Sequence, residues 1–111
     1  MLPKSHRIPS PELRAVSRQG KRIVSNSLEL KFFATSNDAF RCAIVVPIKF
    51  DKRATARNRV RRLISESVRL MLPSLRGGVD GVFFVRGRLP DTQQDVQKIV
   101  YDVLEKAGVL T

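Results

Sequence analysis

The chain has 111 residues, 42% of them apolar, which suits one small folded domain and is too apolar for a disordered chain. Twenty-one Lys and Arg face ten Asp and Glu, a formal net charge of +11. That excess adds self-repulsion to any fold, so it points to a polyanionic partner, nucleic acid first and an anionic membrane surface second.

The chain reads as a single domain over 1–111, with residues 1–9 as an extended arm. The opening Met1-Leu2-Pro3-Lys4-Ser5-His6-Arg7 carries charge but no apolar stretch, unlike a secretory signal. No apolar run reaches the roughly 18 residues of a spanning helix. A cytoplasmic protein with no membrane partner is expected.

Ser10 can cap a helix with Pro11 at its first position, Leu13 and Val16 on its apolar edge and Gly20 at its end. From Ile23 to Phe33 the chain reads as one strand. Leu28, Leu30 and Phe32 lie on its buried face, and Glu29, Lys31 and Phe33 share the other. Ser36-Asn37-Asp38 is a turn signal, and Phe40 to Val46 a second strand closed by Pro47. Cys42 sits in the apolar run Cys42-Ala43-Ile44-Val45-Val46 and reads as a small buried hydrophobe.

Residues 49–62 hold seven Lys or Arg and a single acid, Asp51. A helix is expected from about Thr55 to Leu72, with Val60, Leu63, Ile64, Val68 and Met71 on one stripe. Val82 to Val85 is a continuous apolar run, expected to be a strand buried on both faces. The last helix starts at Pro90-Asp91-Thr92, with Asp95 placed as in a capping box. It repeats apolar residues from Val96 to Ala107 and ends at Gly108. The order is helix, two or three strands, helix, strand, helix: an α+β chain with one sheet covered by helices.

On a wheel of about 100° per residue, the middle helix turns Asn58, Arg61, Arg62, Ser65 and Arg69 away from its apolar stripe, with Arg57 and Arg59 flanking it. Lys49, Lys52 and Arg53 gather at the helix start, where free N–H groups already favour an anion. Arginine dominates, and its planar fork suits phosphate oxygens and exposed bases. A solvated helix face would normally mix signs, yet Glu66 is the only acid on this helix. No catalytic constellation emerges. His6 has no His partner, no serine sits in a glycine-flanked turn, and no glycine-rich phosphate loop is present. No catalytic and no metal residue is assigned, and no small-molecule substrate is expected.

Arg57-Asn58-Arg59-Val60-Arg61-Arg62-Leu63-Ile64 resembles the signature of the bacterial ribonuclease P protein family. Val46-Pro47-Ile48-Lys49 and Lys52-Arg53-Ala54 stand upstream at the family's spacing. The opening Met1-Leu2-Pro3-Lys4, then Arg7-Ile8, Glu12-Leu13, Val16 and Gly20, is similar as well. So are Val82 to Arg86 and the last helix, and the likeness covers nearly the whole chain.

The resemblance implies a two-layer α/β sandwich with a sheet of about four strands, three helices and a left-handed βαβ crossover. It implies a protein subunit of ribonuclease P, a monomer in a 1:1 complex with the catalytic RNA. The RNA and its magnesium carry the chemistry, and no cofactor is bound by the protein alone. The protein would help hold precursor tRNA while its 5′ leader is removed, and would be inactive without the RNA. Residues implied for RNA binding are Lys49, Lys52, Arg53, Arg57, Asn58, Arg59, Arg61, Arg62 and Arg69. Those implied for a leader cleft are Leu13, Lys31, Phe33, Arg57, Asn58, Arg61 and Ser65. Leu13 stands where the family commonly has Phe, Lys31 near a position often aromatic, Ser65 where a basic residue is frequent, and Ile48 for one of a Lys pair. Weaker or less selective leader stacking follows as an expectation, because a base stacks on a ring for roughly 1–3 kcal/mol and cannot do so on Leu. The alternative reading is a structural ribosomal-type RNA-binding protein or RNA chaperone, which charge alone fits equally well. A DNA-binding module is less favoured, since no helix-turn-helix pattern or zinc-ligand set is present.

Overall fold

The computed structural model describes residues 2–9, 20–25, 27–36 and 38–111. The helix expected to begin at Ser10, with Leu13 and Val16 on it, lies outside the described residues. Four strands, β1 (Lys21–Ser25), β2 (Leu28–Ala34), β3 (Phe40–Val45) and β4 (Val79–Val85), form one sheet in the order β1-β2-β4-β3. β1 pairs antiparallel with β2 and β2 with β4, whereas β3 and β4 run parallel. Helix α1 (Ala54–Met71) makes the crossover between those parallel neighbours, and α2 (Gln93–Ala107) follows β4. No described helix is long and apolar enough to cross a membrane.

The segment from Ile23 to Phe33, expected as one strand, is two. The chain reverses between Ser25 and Leu28, which sit opposite each other in the register. Ser25 and Ser27 are small polar residues of the kind that favour chain reversal, a signal the apolar alternation downstream obscured.

Alternation gives the sheet two distinct faces. Leu28 and Leu30 of β2, Phe83 and Val85 of β4, and Phe40 and Cys42 of β3 join the main core, where α1 and α2 add Ile64, Val68, Val96, Val100, Val103 and Leu104. Cys42 is buried there, and desolvation pushes its thiol up to about 12. The other face carries a smaller cluster around Ile8 and Val82, with Phe33, Ala43, Val45 and Phe84 packed against it. β4 is therefore covered on both sides. Glu29, expected on a less buried strand face, is 1% exposed. Its carboxylate accepts from Arg22 Nε and Arg86 Nε, both at 2.6 Å. Burial raises its pKa, the two guanidinium bonds lower it, and the net direction is down.

The helix ends are fixed locally. Thr92 Oγ1 accepts the Asp95 N–H at 3.3 Å, and Gly108 closes α2 with φ 74°, a left-handed conformation that glycine adopts without strain. Gln93 Nε2 donates to the Leu63 carbonyl at 2.9 Å and to Ser67 Oγ at 2.7 Å, which locks the start of α2 against the middle of α1. Val60 is only half-buried. It still packs against the core, as does Leu63, while Ile64, Ser67, Val68 and Met71 form the buried part of the stripe. Residues 2–9 lie along β3. Ile8 N–H donates to the Cys42 carbonyl at 3.1 Å, a short 3-10 turn spans Lys4–His6, and Leu2 and Ile8 are buried. That cover matters because β3 is a sheet edge, whose free backbone groups would otherwise invite another strand.

Candidate nucleic-acid interface

The loop Pro47–Arg53 and the first turns of α1 bring the cationic cluster together. Asp51 organises the approach. Its carboxylate accepts from the Arg53 backbone N–H at 2.9 Å and from the Arg53 guanidinium at 2.9 and 3.1 Å. Those Arg53 contacts hold the Asp51 pKa down to about 2. Arg57 reaches back one turn and donates to the carbonyls of Asp51 at 2.8 Å and Lys52 at 2.9 Å, so it braces the loop as well as carrying charge. Arg61 Nη1 donates to Asn58 Oδ1 at 2.7 Å, which spreads the Arg61 fork beside the amide.

Each remaining candidate has a definite place. Arg59 bonds Asp91, with Nε 2.8 Å from the carboxylate and Nη2 3.0 Å from the carbonyl. Arg62 is exposed and borders a shallow hollow with Thr55, Arg59 and Leu63. Lys49 lines a cavity of about 400 Å³ with Phe50, Arg86 and Arg88. Among the described residues, the Lys49, Lys52 and Arg62 side chains make no hydrogen bond or ion pair. Arg69, in the last turn of α1, pairs with Glu66 and lies at the far end of the helix from the cluster.

The residues implied for a leader cleft divide between two surfaces. Arg61 and Ser65 line a cavity of about 240 Å³ beside the edge strand, with Leu2, Arg7 and Ile8 of the arm and Ala43 of β3. Lys31 and Phe33 lie on the sheet face turned away from the helices, and they do not line that cavity. Leu13 lies outside the described residues. On the outer sheet face, Lys31 Nζ stands 5.5 Å and the Arg86 guanidinium 5.0 Å from the centroid of the Phe84 ring. Both cations stand over the half-buried Phe84 ring, within the range at which a ring face attracts a cation.

Phe84, Arg86, Arg88 and Arg7 were not among the sequence candidates. Phe84 and Arg86 gain their meaning from a register that sets Phe84 opposite Glu29 and brings Arg86 to the Glu29 carboxylate, 57 positions apart. No local periodicity carries that. Several carboxylates are committed elsewhere. Glu29 is held by Arg22 and Arg86, Asp80 by Arg41 at 2.6 and 2.9 Å, Glu66 by Arg69, and Asp102 by Ser25 and Lys106. Among the described residues no three His, Cys, Asp or Glu gather to hold a metal ion.

A family model described as Ribonuclease P matches residues 2–108. A ribonuclease P protein component from Rippkaea orientalis is 36% identical over 100 residues, covering 85% of this chain and 79% of that protein. One from Clostridium novyi is 36% identical over 101 residues, covering 88% of each. Among solved structures, the RNase P protein of Staphylococcus aureus superposes with a TM-score of 0.84 at 22% identity, over 97% of this chain and 100% of that one. The protein of Thermotoga maritima gives 0.80 at 23% identity, over 90% and 96%. These two structures share the α+β fold with its mixed four-stranded sheet.

Proposed function

The chain belongs to the ribonuclease P protein family, and from that premise we propose that it is the protein subunit that docks on a catalytic RNA and helps it remove the 5′ leader of precursor tRNA. One observation supports this most. Ile64 and Val68 are fully buried on one side of α1, while the other side displays guanidinium groups. A helix fixed in this way holds its cations in a set geometry, so phosphate binding need not order a loose segment.

In this reading Arg57, Arg59, Arg61 and Arg62, with Asn58 and with Lys49, Lys52 and Arg53 at the helix start, contact the catalytic RNA. Arg69 extends that face. The leader runs over the outer sheet face, where Phe84, Lys31 and Arg86 meet one unpaired nucleotide, and toward the cavity of Arg61 and Ser65. Magnesium is assigned to the RNA in this reading. The protein contributes binding and orientation, and it acts in the cytoplasm as one copy per RNA.

Precursor tRNA cleavage by a bacterial catalytic RNA at low magnesium, with and without the protein, tests the proposal. Restored cleavage supports it. Tight binding to ribosomal RNA with no effect on cleavage favours the structural RNA-binding alternative.

A further inference from the structure

A second basic groove lies at the opposite end of the sheet from the α1 N-terminus. β4 starts there, β2 ends there, and both helices finish there. It encloses about 400 Å³ between Lys21, Phe32, Phe33, Arg76, the Gly77-Gly78 backbone and the end of α2. An 18-residue helix is about 27 Å long at 1.5 Å per residue, so this groove sits roughly that far from the Arg57 cluster. No contact made at that cluster reaches it.

Three features of the groove converge. The described lining residues include two cations and no carboxylate side chain. Lys21 and Arg76 are exposed, and among the described residues their side chains make no hydrogen bond or ion pair, whereas Arg22, Arg41, Arg53, Arg59, Arg69 and Arg86 each hold an acid. Phe32 and Phe33, both only partly buried, line it from opposite faces of β2, Phe32 on the helix-covered side with the end of α2 and Phe33 on the outer side. The end of α2 is capped by hydrogen bonds. The Leu104 and Glu105 carbonyls accept the Gly108 N–H, and the Val109 carbonyl accepts the Arg76 N–H at 2.7 Å.

We propose that this groove binds a single-stranded RNA segment, with Lys21 and Arg76 on successive phosphates and a base against the partly buried Phe32 ring. Unpaired cations flanking an aromatic ring are the arrangement that tracks a single strand without reading its sequence. A duplex presents its phosphates outward and leaves no base free to enter a cleft of this size. The inference rests on this groove alone and holds whichever RNA the α1 face binds.

The test is an amide NMR titration of the full chain with a short oligouridylate, in the native protein and in the Lys21→Ala, Arg76→Ala double variant. Both side chains are exposed, and the bond from the Arg76 backbone to Val109 is kept, so the variant's own spectrum reports that it folds. In the native protein the Gly77, Gly78 and Gly108 amides should shift. Those shifts should fall several-fold in the variant while α1 amides still respond. The slope of log affinity against log salt for the oligonucleotide should lessen by about 1.4, at about 0.7 per phosphate contact on a single strand. Groove amides that stay still, or that move equally in the double variant, overturn the proposal. So does an equal response to oligoglutamate, which would mark the groove as a site for acidic peptide. A failure confined to the α1 amides counts against the proposed docking face and leaves the groove standing.

Discussion

Asp91→Asn should tighten binding to the catalytic RNA. Arg59 is the one guanidinium of the Arg57–Arg62 run held by an acid from another element, with Nε 2.8 Å from the Asp91 carboxylate. Phosphate must displace that acid before Arg59 can engage. The two side chains are 59% and 83% exposed, which places the pair among surface ion pairs worth about 0.2–1 kcal/mol. Its removal should therefore raise affinity by about 1.4-fold to fivefold, since 1.4 kcal/mol corresponds to tenfold. The salt dependence should steepen by up to about 0.9 in slope as one more phosphate is neutralised. Asp95→Asn is the matched control. It removes the same charge from the same end of α2, but Asp95 is not in contact with Arg59. Fluorescence anisotropy with labelled RNA at four or five salt concentrations separates the two. Equal gains from both variants would mean general charge alone. A loss of affinity in Asp91→Asn would mean that the pair orients Arg59 for RNA, and the competition argument would be wrong.

Glu29→Gln should destabilise the fold by about 1–3 kcal/mol at neutral pH, the cost of weakening a buried hydrogen-bonded charge, read from urea midpoints. The value stays in that range because Arg22 and Arg86 are 64% and 47% exposed and rehydrate. Glu29 has a folded-state pKa below its ordinary 4.5, so its contribution is complete above that value and fades as pH falls through the lowered one. The native chain should lose that part of its stability in acid, and the variant should lack that component; superimposable acid profiles contradict the clamp. Ile64→Ala should cost about 2–5 kcal/mol, because a fully buried side chain leaves a cavity in the α1 seam, and a shift below 1 kcal/mol would show the seam is loosely packed. Phe84→Leu should keep the outer cluster packed yet weaken the preference for leader-bearing over leaderless precursor by about 1–3 kcal/mol in cleavage competition. An unchanged preference removes Phe84 from the leader path.

The two described α-helices were legible because their determinants are local. Thr92, Asp95 and Gly108 cap α2 within its own span, and the apolar period of α1 survives the charges around it. The hairpin between β1 and β2 was not, since Ser25 and Ser27 resemble any polar interruption until the register pairs Ser25 with Leu28. The candidate site divides in the same way. The Arg57–Arg62 face follows from spacing alone. The commitments that shape it do not, because Asp91 bonds Arg59 across 32 positions and Arg86 reaches Glu29 across 57. Burial of Glu29 depends on two guanidinium groups brought in from neighbouring strands, which sequence alternation cannot supply. Phe84 read as one more apolar residue of β4 until Lys31 and Arg86 were found beside its ring.

The affinity of an Arg61→Glu, Arg62→Glu double variant for the catalytic RNA, set beside its circular dichroism spectrum and urea midpoint, tests the α1 docking face most directly. Both side chains lie off the buried seam of Ile64 and Val68, so the fold should be retained while affinity drops by about tenfold or more at ~0.15 M salt. Native affinity in a folded double variant would contradict the account.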